Sequence, residues 1–390
     1  MKTIVDIHVI QTVPPSCINR DDNNRPKTAI YGGAQRARVS SQAWKKAVRD
    51  EFRERLGKDK VGFRTVFPLD LIKEKLIELG INEDDAKKRA EAVLHTLGIK
   101  TSADKKTGAT KTSALFFISP KQVDALAKEA ANFEGDPKKV VAEKEAKARI
   151  KKLSNKDHTL DIALFGRMVA DDPTLNCDAA CQVAHAISVD EVNTEFDFFT
   201  AVDDVKDQDI ETSDAGSGHL GVVEYNSSTL YRYATIYVDQ LLHNLNKDKK
   251  ATAKAVKEFL RAFAISMPTG KINTFANDIL PQLVLVTIRQ DQPVNLVTAF
   301  ENPIYKREGS SISDIATQKL ANEYKKVHEN YVNKPETAYV ISLDEFIRKE
   351  NRLSIADAFE ATKVTLEDLL SGVEKALDER LAKSEDNDNE

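Results

Sequence analysis

The sequence has few of the residues that build covalent or membrane-bound scaffolds. Its 390 residues include three cysteines (Cys17, Cys177 and Cys181), too few for a disulfide framework, so a reducing cytoplasm is the expected compartment. No run approaches the ~18 apolar residues of a membrane-spanning helix. The apolar N-terminal stretch contains Asp6 and His8 and no small-residue cleavage site follows it, so we expect no signal peptide.

What the sequence has instead is charge, and the charge is unevenly distributed. Charged residues make up 31% of the chain and apolar residues 41%, a balance typical of a folded protein with a polar surface. The net charge is −5, yet residues 16–49 carry eight bases and two acids, and residues 138–152 carry seven bases and two acids. Two basic segments in an acidic chain indicate a polyanionic partner bound at defined places. For the second segment, a solvated lysine-rich helix face is an equally good interpretation.

Hydrophobic periodicity predicts a mixed α+β fold. The predicted strands are 3–11 (ended by Pro14 and Pro15), 160–169, 195–204, 219–238, 283–288 and 338–343; the predicted helices are 41–56, most of 68–152 apart from a loop near 100–111, 177–189, 239–265 and one from residue 365; residues 17–38 are predicted to form a long loop. The absence of a regular strand–helix alternation favours a sheet domain with a helical insertion over a doubly wound sheet. Trp44 lies on the apolar face of the 41–56 helix and is predicted to be core, with Ser40 or Ser41 as the N-cap.

Three motifs that would support enzymatic or metal chemistry lack the context they need. Residues 216–221 read G-S-G-H-L-G, but an acidic loop precedes them and a strand-like run follows, which predicts a hairpin tip rather than a dinucleotide site. Cys177, Cys181 and His185 recur every four residues on the predicted helix, but no fourth zinc ligand accompanies them, which favours a buried stripe. His8 is interpreted as a buried sheet histidine. We therefore predict no catalytic residue, no metal and no cofactor.

The N-terminal stretch carries a specific pattern. Residues 7–49 (IHVIQTVPPSCINRDDNNRPKTAIYGGAQRARVSSQAWKKAVR) combine a strand, P-S-C-x-N-R-D-D, K-x-A-x-x-G-G, R-x-R-x-S-S-Q and a basic helix. Further motifs follow in order: DIALFGRM (161–168), QVAHAISV (182–189), FDFFTAVDD (196–204), GSGHLG (216–221) and LYRYATI (230–236). This pattern resembles the CasC-type backbone subunits of the type I-E CRISPR surveillance complex, Cascade, which belong to the RAMP superfamily. The resemblance covers most of residues 1–240 and is weaker in the helical insertion and after about residue 300.

The resemblance implies a hand-like α+β subunit whose palm is a modified RRM or ferredoxin-like sheet. Its implied parts are the first part of the palm with an RNA-binding loop and helix (1–60), a helical fingers insertion (61–155), palm and web (156–195), a β-hairpin thumb (196–228), and the second part of the palm with C-terminal helices (229–390). It implies a non-catalytic, cytoplasmic subunit that polymerises head to tail along crRNA, kinks this guide at regular intervals and presents it to target DNA in antiviral defence. The implied partners are crRNA, target DNA, other copies of the chain and the remaining Cascade subunits, namely the large subunit, the small subunits, the 5′-end cap subunit and the guide-processing endoribonuclease; no membrane and no cofactor are implied.

Candidate RNA-binding residues come from the first basic segment. A guide of any sequence must be held through phosphates and 2′-hydroxyl groups rather than base edges. Positive charge is available from Arg20, Lys27, Arg38, Lys45 and Arg49, neutral hydrogen bonding from Ser40 and Gln42, and further charge from the secondary candidates Lys46 and Arg36. The N-terminus of the 41–56 helix adds its dipole and free N–H groups. The resemblance implies guide-RNA contacts at Arg20, Lys27, Ser40, Gln42, Lys45 and Arg49.

The resemblance also implies that Met168, Phe199, Thr200 and Leu220 surround a displaced base. Apolar or flat groups at such a kink replace base stacking, which is worth ~1–3 kcal/mol per base. From the residues alone, ordinary core positions are the better interpretation of Met168 and Phe199.

The second basic segment resembles a lysine-rich fingers helix that grips target DNA. Lys138 and Lys139 match this pattern, and Lys144 lies close to it, whereas the next two family lysines fall on Ala142 and Glu145. The implied DNA contact is therefore assigned to Lys138, Lys139 and Lys144.

Two other classes of function stay open at this point. A guide-processing or RNA-cutting ribonuclease would use a histidine such as His8 or His219. A nucleotide-dependent oxidoreductase would use the glycines of residues 216–221.

Overall fold

The computed structural model describes residues 2–104, 109–169, 172–201, 219–344, 346–348 and 353–383. Within these ranges the strands are β1 (Ile4–Ser16), β2 (Thr28–Tyr31), β3 (Ala34–Val39), β4 (Phe63–Thr65), β5 (Thr101–Ala103), β6 (Thr110–Thr112), β7 (Phe116–Ile118), β8 (Cys181–Val183), β9 (Ala186–Ser188), β10 (Glu195–Ala201), β11 (His219–Tyr237), β12 (Leu283–Arg289), β13 (Thr337–Ser342), β14 (Phe346–Arg348), β15 (Leu353–Ser354) and β16 (Thr362–Lys363). The helices are α1 (Ser41–Leu56), α2 (Pro68–Glu78), α3 (Glu83–Thr96), α4 (Pro120–Ala131), α5 (Pro137–Val140), α6 (Lys144–Ser154), α7 (Leu160–Phe165), α8 (Val238–Asn244), α9 (Lys249–Ile265), α10 (Ile272–Phe275), α11 (Ile312–Asn330), α12 (Ile355–Ala358) and α13 (Leu366–Lys383).

The largest sheet has β1 near its centre. Its strand order is β16-β13-β12-β1-β11-β9-β3-β2, with β8 and β10 also paired to β11, and among the described strands only β13 and β16 pair in parallel. Strand β1 is covered on both faces because its alternate residues enter different cores. Val5, Ile7 and Val9 belong to a core shared with α9 and α13, and Ile10 belongs to one shared with α11. The predicted mixed α+β fold with a sheet and many helices is thereby confirmed.

Strand β11 joins a projecting hairpin to the middle of this sheet. Its first residues pair with β10, with Phe199 opposite Gly221, and its remaining residues pair with β1 from Asn226 onward. A single strand therefore runs from the hairpin into the sheet. The predicted strands at 195–204 and 219–238 are confirmed over their described residues, while 202–204 lie outside the described ranges.

Helix α1 has the bounds that its sequence pattern predicts. The Ser40 hydroxyl accepts the N–H of Ala43 at 3.3 Å, which fixes Ser40 as the N-cap. Trp44, Val48 and Phe52 lie on one face and are buried, as expected for apolar residues at helical spacing. The helix ends at Gly57, whose φ of 95° is accessible to glycine at little cost.

The segment from α2 to α6 encloses a hydrophobic core of its own. This core includes Leu69 and Ile72 of α2, Leu94 of α3 and Leu126 of α4. The prediction of a mainly helical 68–152 segment is confirmed, although the short strands β5, β6 and β7 lie within it and residues 105–108 of the predicted loop lie outside the described ranges.

Three secondary-structure predictions were wrong. Residues 160–165 form helix α7, not a strand, because Gly166 at φ 76° ends a short helix and turns the chain back. Residues 177–189 form β8 and β9, not a helix, because Val183 and Ile187 pair with the edge of β11. The Cys177, Cys181 and His185 stripe, which required a helix, therefore does not exist.

The third error concerns the N-terminal strand and the residues after it. Strand β1 continues through Pro14 and Pro15 to Ser16, with an irregularity in its pairing between Val13 and Ser16. The predicted loop 17–38 contains the β2–β3 hairpin, whose turn is formed by Gly32 and Gly33. A Cβ atom on Gly32 would come within 1.6 Å of the Glu301 carbonyl oxygen, so the turn requires glycine there.

Candidate nucleic-acid interface

A basic groove lies beside the N-terminal half of α1. It has a volume of about 560 Å³ and is lined by Gln42, Lys45, Arg49, Arg64, Arg167 and Met168, among others. These lining residues include four cationic side chains and one acid, Asp178. The groove therefore brings together four of the predicted RNA-binding residues, Gln42, Lys45, Arg49 and Met168, and surrounds them with positive charge.

Lys45 and Arg49 are oriented by aromatic rings on the groove wall. The Lys45 Nζ lies 5.5 Å from the centroid of the Phe165 ring, and the Arg49 Cζ lies 4.7 Å from the centroid of the Phe117 ring. A cation over an aromatic face is attracted to it and loses freedom. These contacts place both charges against the wall of the groove.

Arg49 has a structural partner as well as a place in the groove. Its Nε donates to the Asp161 carboxylate at 2.8 Å, and its second guanidinium nitrogen donates to the Gly62 carbonyl at 2.9 Å. Asp161 is fully buried and also accepts from the Gly62 N–H and the Thr159 hydroxyl. Arg49 therefore contributes to the packing of α7 against α1, and only part of its charge faces the groove.

Met168 is 82% exposed, so the interpretation as a core residue was wrong for this position. It follows the turn at Gly166, which is fixed by Arg167. The Arg167 side chain is buried and donates to the carbonyls of Leu175 and Ser154, both at 2.9 Å. Burial lowers the pKa of Arg167 to about 10, which leaves it charged at neutral pH. A rigid turn thus presents an apolar side chain to solvent at the rim of a cationic groove.

The β10–β11 hairpin exposes apolar side chains on both of its faces. Phe198 is 69% exposed and Phe199 is 44% exposed, so the core interpretation of Phe199 was wrong as well. The Phe199 ring covers Gly221 so closely that a Cβ there would come within 2.3 Å of it. Thr200 and Leu220 pair across the hairpin, but their side chains, like residues 216–218 of the glycine-rich motif, lie outside the described part of the structure.

The loop before β2 is held by specific hydrogen bonds. The Lys27 N–H donates to the Asn19 carbonyl at 2.9 Å, and the Asn19 side chain accepts the Ser40 N–H at 2.9 Å. Arg20 is exposed and donates to the Asn24 side chain at 3.3 Å. Arg38 donates to the Thr28 carbonyl at 3.2 Å and contacts the His185 ring at 3.3 Å. Arg20, Lys27 and Arg38 therefore form a basic surface that is separate from the lining of the basic groove.

Three of the candidates in this region are engaged by the protein itself. Ser40 is buried and its hydroxyl caps α1, so its observed role is structural. Arg36 is fully buried and donates to the carbonyls of Ser188 and Phe300, which removes it from the surface and corrects its place among the secondary RNA contacts. Lys46 pairs with Asp50 on the other side of α1 and does not reach the basic groove.

Lys46 lines a second groove of opposite charge. This acidic groove has a volume of about 360 Å³ and is lined on its charged side by Asp50, Glu51, Glu54 and Asp278. Burial and the neighbouring Glu54 carboxylate raise the pKa of Glu51. An acidic surface of this kind repels phosphates, so the structure does not group Lys46 with the other predicted contacts.

The lysines predicted to contact DNA lie on α5 and α6. Lys138, Lys139 and Lys144 are exposed, and no ion pair joins them to another of the described residues. By contrast, Arg149 pairs with Glu129 at 2.8 Å and Lys151 with Asp172 at 2.5 Å. The unpaired members of the segment are therefore available to an external polyanion, and the paired ones hold the helices together.

The alternative chemistries find little support among the described residues. His8 is buried, contacts the Tyr231 hydroxyl at 2.9 Å and has its pKa lowered to about 3 by burial, so it does not meet solvent. The side chain of His219 lies outside the described ranges. No group of three or more His, Cys, Asp or Glu residues within those ranges is arranged to hold a metal ion. Each helix in the described ranges is too short or too polar to cross a lipid bilayer.

Comparisons with known proteins place the chain in a family. A family model described as "CT1975-like protein" matches residues 5–372. The chain belongs to the CT1975-like family. None of the curated proteins matches it.

Solved structures similar to this CT1975-like protein cover nearly its whole length. One is a chain in "CRISPR RNA-guided surveillance complex, pre-nicking", which is 34% identical, with 96% of this chain and 100% of that chain covered and a TM-score of 0.82. Another is a chain in "CRISPR RNA-guided surveillance complex", which is 30% identical, with 95% and 99% covered and a TM-score of 0.71.

Two cationic residues of this CT1975-like protein were missed by sequence reasoning. Arg64 on β4 is exposed and lines the basic groove, and Arg167 forms its buried wall. Arg64 lies in no recognisable motif. Arg167 lies within the DIALFGRM motif, beside the predicted Met168, and that adjacency was the available signal.

Proposed function

We propose that this chain is a CasC-type backbone subunit of a type I-E Cascade complex, and that it binds crRNA without cleaving it. The observation that carries the proposal is the similarity to a chain of a CRISPR RNA-guided surveillance complex, which extends over 96% of this chain at 34% identity. In this proposal, copies polymerise head to tail along the guide, and the five-part division into palm, fingers, web and thumb describes each copy.

The basic groove supports an RNA path along α1. Lys45 and Arg64 provide charge for phosphates, and exposed Gln42 provides hydrogen bonds that do not depend on base identity. Met168 provides an apolar surface at the rim, which is the kind of group that replaces stacking when a base is displaced. In this proposal the path continues to the surface formed by Arg20, Lys27 and Arg38, which lie in the loop and strands that precede α1.

We assign further contacts to the hairpin and to the exposed lysines of α5 and α6. We assign the hairpin, with Phe199, Thr200 and Leu220, to the kink in the guide and to contact with the next copy. We assign Lys138, Lys139 and Lys144 to target DNA. The further proposed partners are the large, small, 5′-end cap and endoribonuclease subunits of Cascade. The three free cysteines suit a reducing compartment, so we place the protein in the cytoplasm.

The test is a ribonuclease footprint on the assembled complex. The full chain is co-expressed with a repeat–spacer RNA and the products of neighbouring genes, purified, and digested. A guide bound by a row of copies is protected along the spacer, with sensitive nucleotides at even intervals where bases are displaced. A preparation without bound RNA, or a single cut at one fixed site, would overturn the proposal and favour a ribonuclease.

The same footprint tests the hairpin through Phe198→Asp. Because Phe198 is largely exposed, the substitution leaves the thermal unfolding midpoint of one copy within about 2 °C of wild type, as for other surface changes. A hairpin that contacts the guide or the next copy should no longer give evenly spaced sensitivity when this side chain is charged. An unchanged footprint would contradict the role assigned to the hairpin.

A further inference from the structure

A small cavity lies between the loop before β2, strand β3 and the foot of the hairpin. It holds about 20 Å³ and is lined by Asn19, Lys27, Arg38, Asn226 and Ser228 together with apolar residues such as Val13. A cavity of ~10–15 Å³ is enough for one water molecule, so this one admits a single group of that size, such as a hydroxyl.

Asn226 is the unusual member of this lining. It is 8% exposed, and its amide nitrogen donates to no acceptor among the described residues. Buried polar groups in folded proteins nearly always have a partner, and an unpaired one costs about 1–3 kcal/mol. Because the two ends of an asparagine amide interchange by a half-turn, it can offer either a donor or an acceptor. An amide in this position can form a hydrogen bond with a single hydroxyl-sized group that enters the cavity.

The position of Asn226 locates the cavity in the fold. Asn226 lies opposite Ser16 at the end of the β1–β11 ladder, where the pairing is irregular between Val13 and Ser16. Val13, Ser16 and Asn226 all line the cavity, so the cavity adjoins this irregular part of the ladder. It lies at the point where β11 leaves the sheet to form the hairpin.

The mouth of the cavity is cationic. Lys27 and Arg38 line it, and the ring of His185 lies 3.3 Å from the Arg38 guanidinium. Burial and the charges of Arg38 and Lys27 lower the pKa of His185. The cavity therefore combines a polar interior with two cations, which are the groups that a ribose hydroxyl and its adjoining phosphates require.

The walls of the cavity are held in place before a ligand binds. Asn19 joins the loop to Lys27 and to Ser40 through hydrogen bonds of 2.9 Å. Arg25 pairs with Glu224 of β11 at 2.9 Å and ties the loop to the foot of the hairpin. A site that is already ordered loses less freedom on binding.

We propose that this cavity receives a ribose 2′-hydroxyl of the guide and that Asn226 is the residue that distinguishes RNA from DNA, with Lys27 and Arg38 on the adjoining phosphates. The inference rests on the proposed function, because it requires that the chain binds RNA. It names Asn226 as a specificity-determining residue, a role that base-independent charge contacts do not supply.

The test compares RNA, all-DNA and singly 2′-deoxy oligonucleotides of one sequence, each long enough for several full-length copies to bind side by side. Wild type and Asn226→Leu are titrated with each, and Lys27→Ala is the matched control. We expect Asn226→Leu to bind RNA about fivefold more weakly per site and to bind DNA as wild type does, since about one hydrogen bond is removed. Lys27→Ala should weaken RNA and DNA alike, because Lys27 is assigned to a phosphate.

A double-substitution cycle separates a direct hydrogen bond from a packing effect. If Asn226 contacts a 2′-hydroxyl, wild type and Asn226→Leu should bind the correctly placed 2′-deoxy oligonucleotide equally. A parallel loss of RNA and DNA binding in Asn226→Leu, or no loss, would overturn the inference. If Asn226→Leu does not fold, the wild-type protein alone tests the inference. Equal affinity of wild type for RNA and for every 2′-deoxy oligonucleotide would then overturn it. A wild-type protein that binds no RNA would overturn the proposed function itself, whereas equal binding of RNA and DNA overturns only the role of Asn226.

Discussion

The two grooves that flank helix α1 share the helix but differ in charge. The basic groove takes Lys45 and Arg49 from one side of the helix, and the acidic groove takes Lys46 and Asp50 from the other. Consecutive helical residues point about 100° apart, so neighbouring lysines in the sequence serve different surfaces. The difference shows that the positive charge of residues 16–49 is sorted by the fold and does not act as one patch.

The largest expected effect is a loss of stability when Arg49, which joins the basic groove to the core, is replaced. Arg49→Ala leaves the Asp161 carboxylate buried and without its charged partner. We expect the free energy of unfolding to fall by about 3 kcal/mol, measured by urea denaturation. Lys45→Ala, the control one turn earlier, should change it by less than about 0.5 kcal/mol. Equal midpoints for Arg49→Ala and wild type would mean that Arg49 serves the groove alone.

The comparison between the grooves is sharpest at Lys45 and Lys46. Lys45→Glu places an acid in the basic groove, and we expect RNA affinity to fall about tenfold, since one charge-assisted hydrogen bond to a phosphate is removed. Lys46→Glu makes the same chemical change in the acidic groove and should alter RNA affinity by less than about twofold. Both are measured by titration at fixed salt concentration. Similar reductions for the two variants would show that the guide does not follow the basic groove.

A third basic surface, on α5 and α6, carries Lys138, Lys139 and Lys144, which no ion pair joins to another residue of the described ranges. Lys138→Glu combined with Lys139→Glu should weaken binding of target DNA by a loaded complex. The slope of log affinity against log salt concentration should become shallower by about 0.9 for each DNA phosphate that the lysines no longer neutralise. Loading of the guide RNA should be unchanged. A loading defect would show that this surface belongs to the RNA path.

The smallest effect should be a pH dependence at His185. Its pKa lies below the usual 6.5 because of burial and the charges of Arg38 and Lys27. A phosphate at these cations favours the protonated ring, so RNA binding raises this pKa and takes up protons. Affinity should therefore rise, by about twofold, as the pH falls from neutral through the range of histidine. His185→Gln should remove this rise, and His243→Gln, on α8, should keep it.

Much of the fold is predictable where one periodicity dominates. Helix α1 has an N-cap serine and four buried apolar residues at helical spacing, and five of the seven residues of β12 are apolar, so both were predicted within a residue or two. Residues 160–165 and 177–189 are short apolar segments in which helix and strand patterns are alike. Their structure is decided by Gly166 and by pairing with β11, which are tertiary features that a local pattern does not contain.

For the candidate site, the sequence predicted which residues take part better than it predicted where their side chains point. The resemblance implied RNA contacts at Gln42, Lys45 and Arg49 and a separate place for Met168 beside a displaced base, and the structure brings these four residues to one groove. The cap at Ser40 was among the sequence predictions, whereas the burial of Arg36 and the position of Lys46 in the acidic groove were not, because both depend on which way the side chain points. Arg64 comes from β4, distant in sequence, and only the folded chain brings it to the groove.

The length of strand β11 sets how far the hairpin extends from the sheet. Its 19 residues extend about 60 Å at ~3.3 Å per residue, from the hairpin to the middle of the sheet. Because the strand is continuous, the hairpin and the residues paired with β1 are parts of one strand, and no loop separates them. The number of residues in the two strands therefore sets the length of the hairpin. Inserting or deleting two residues in each of β10 and β11 would change that length by about 7 Å.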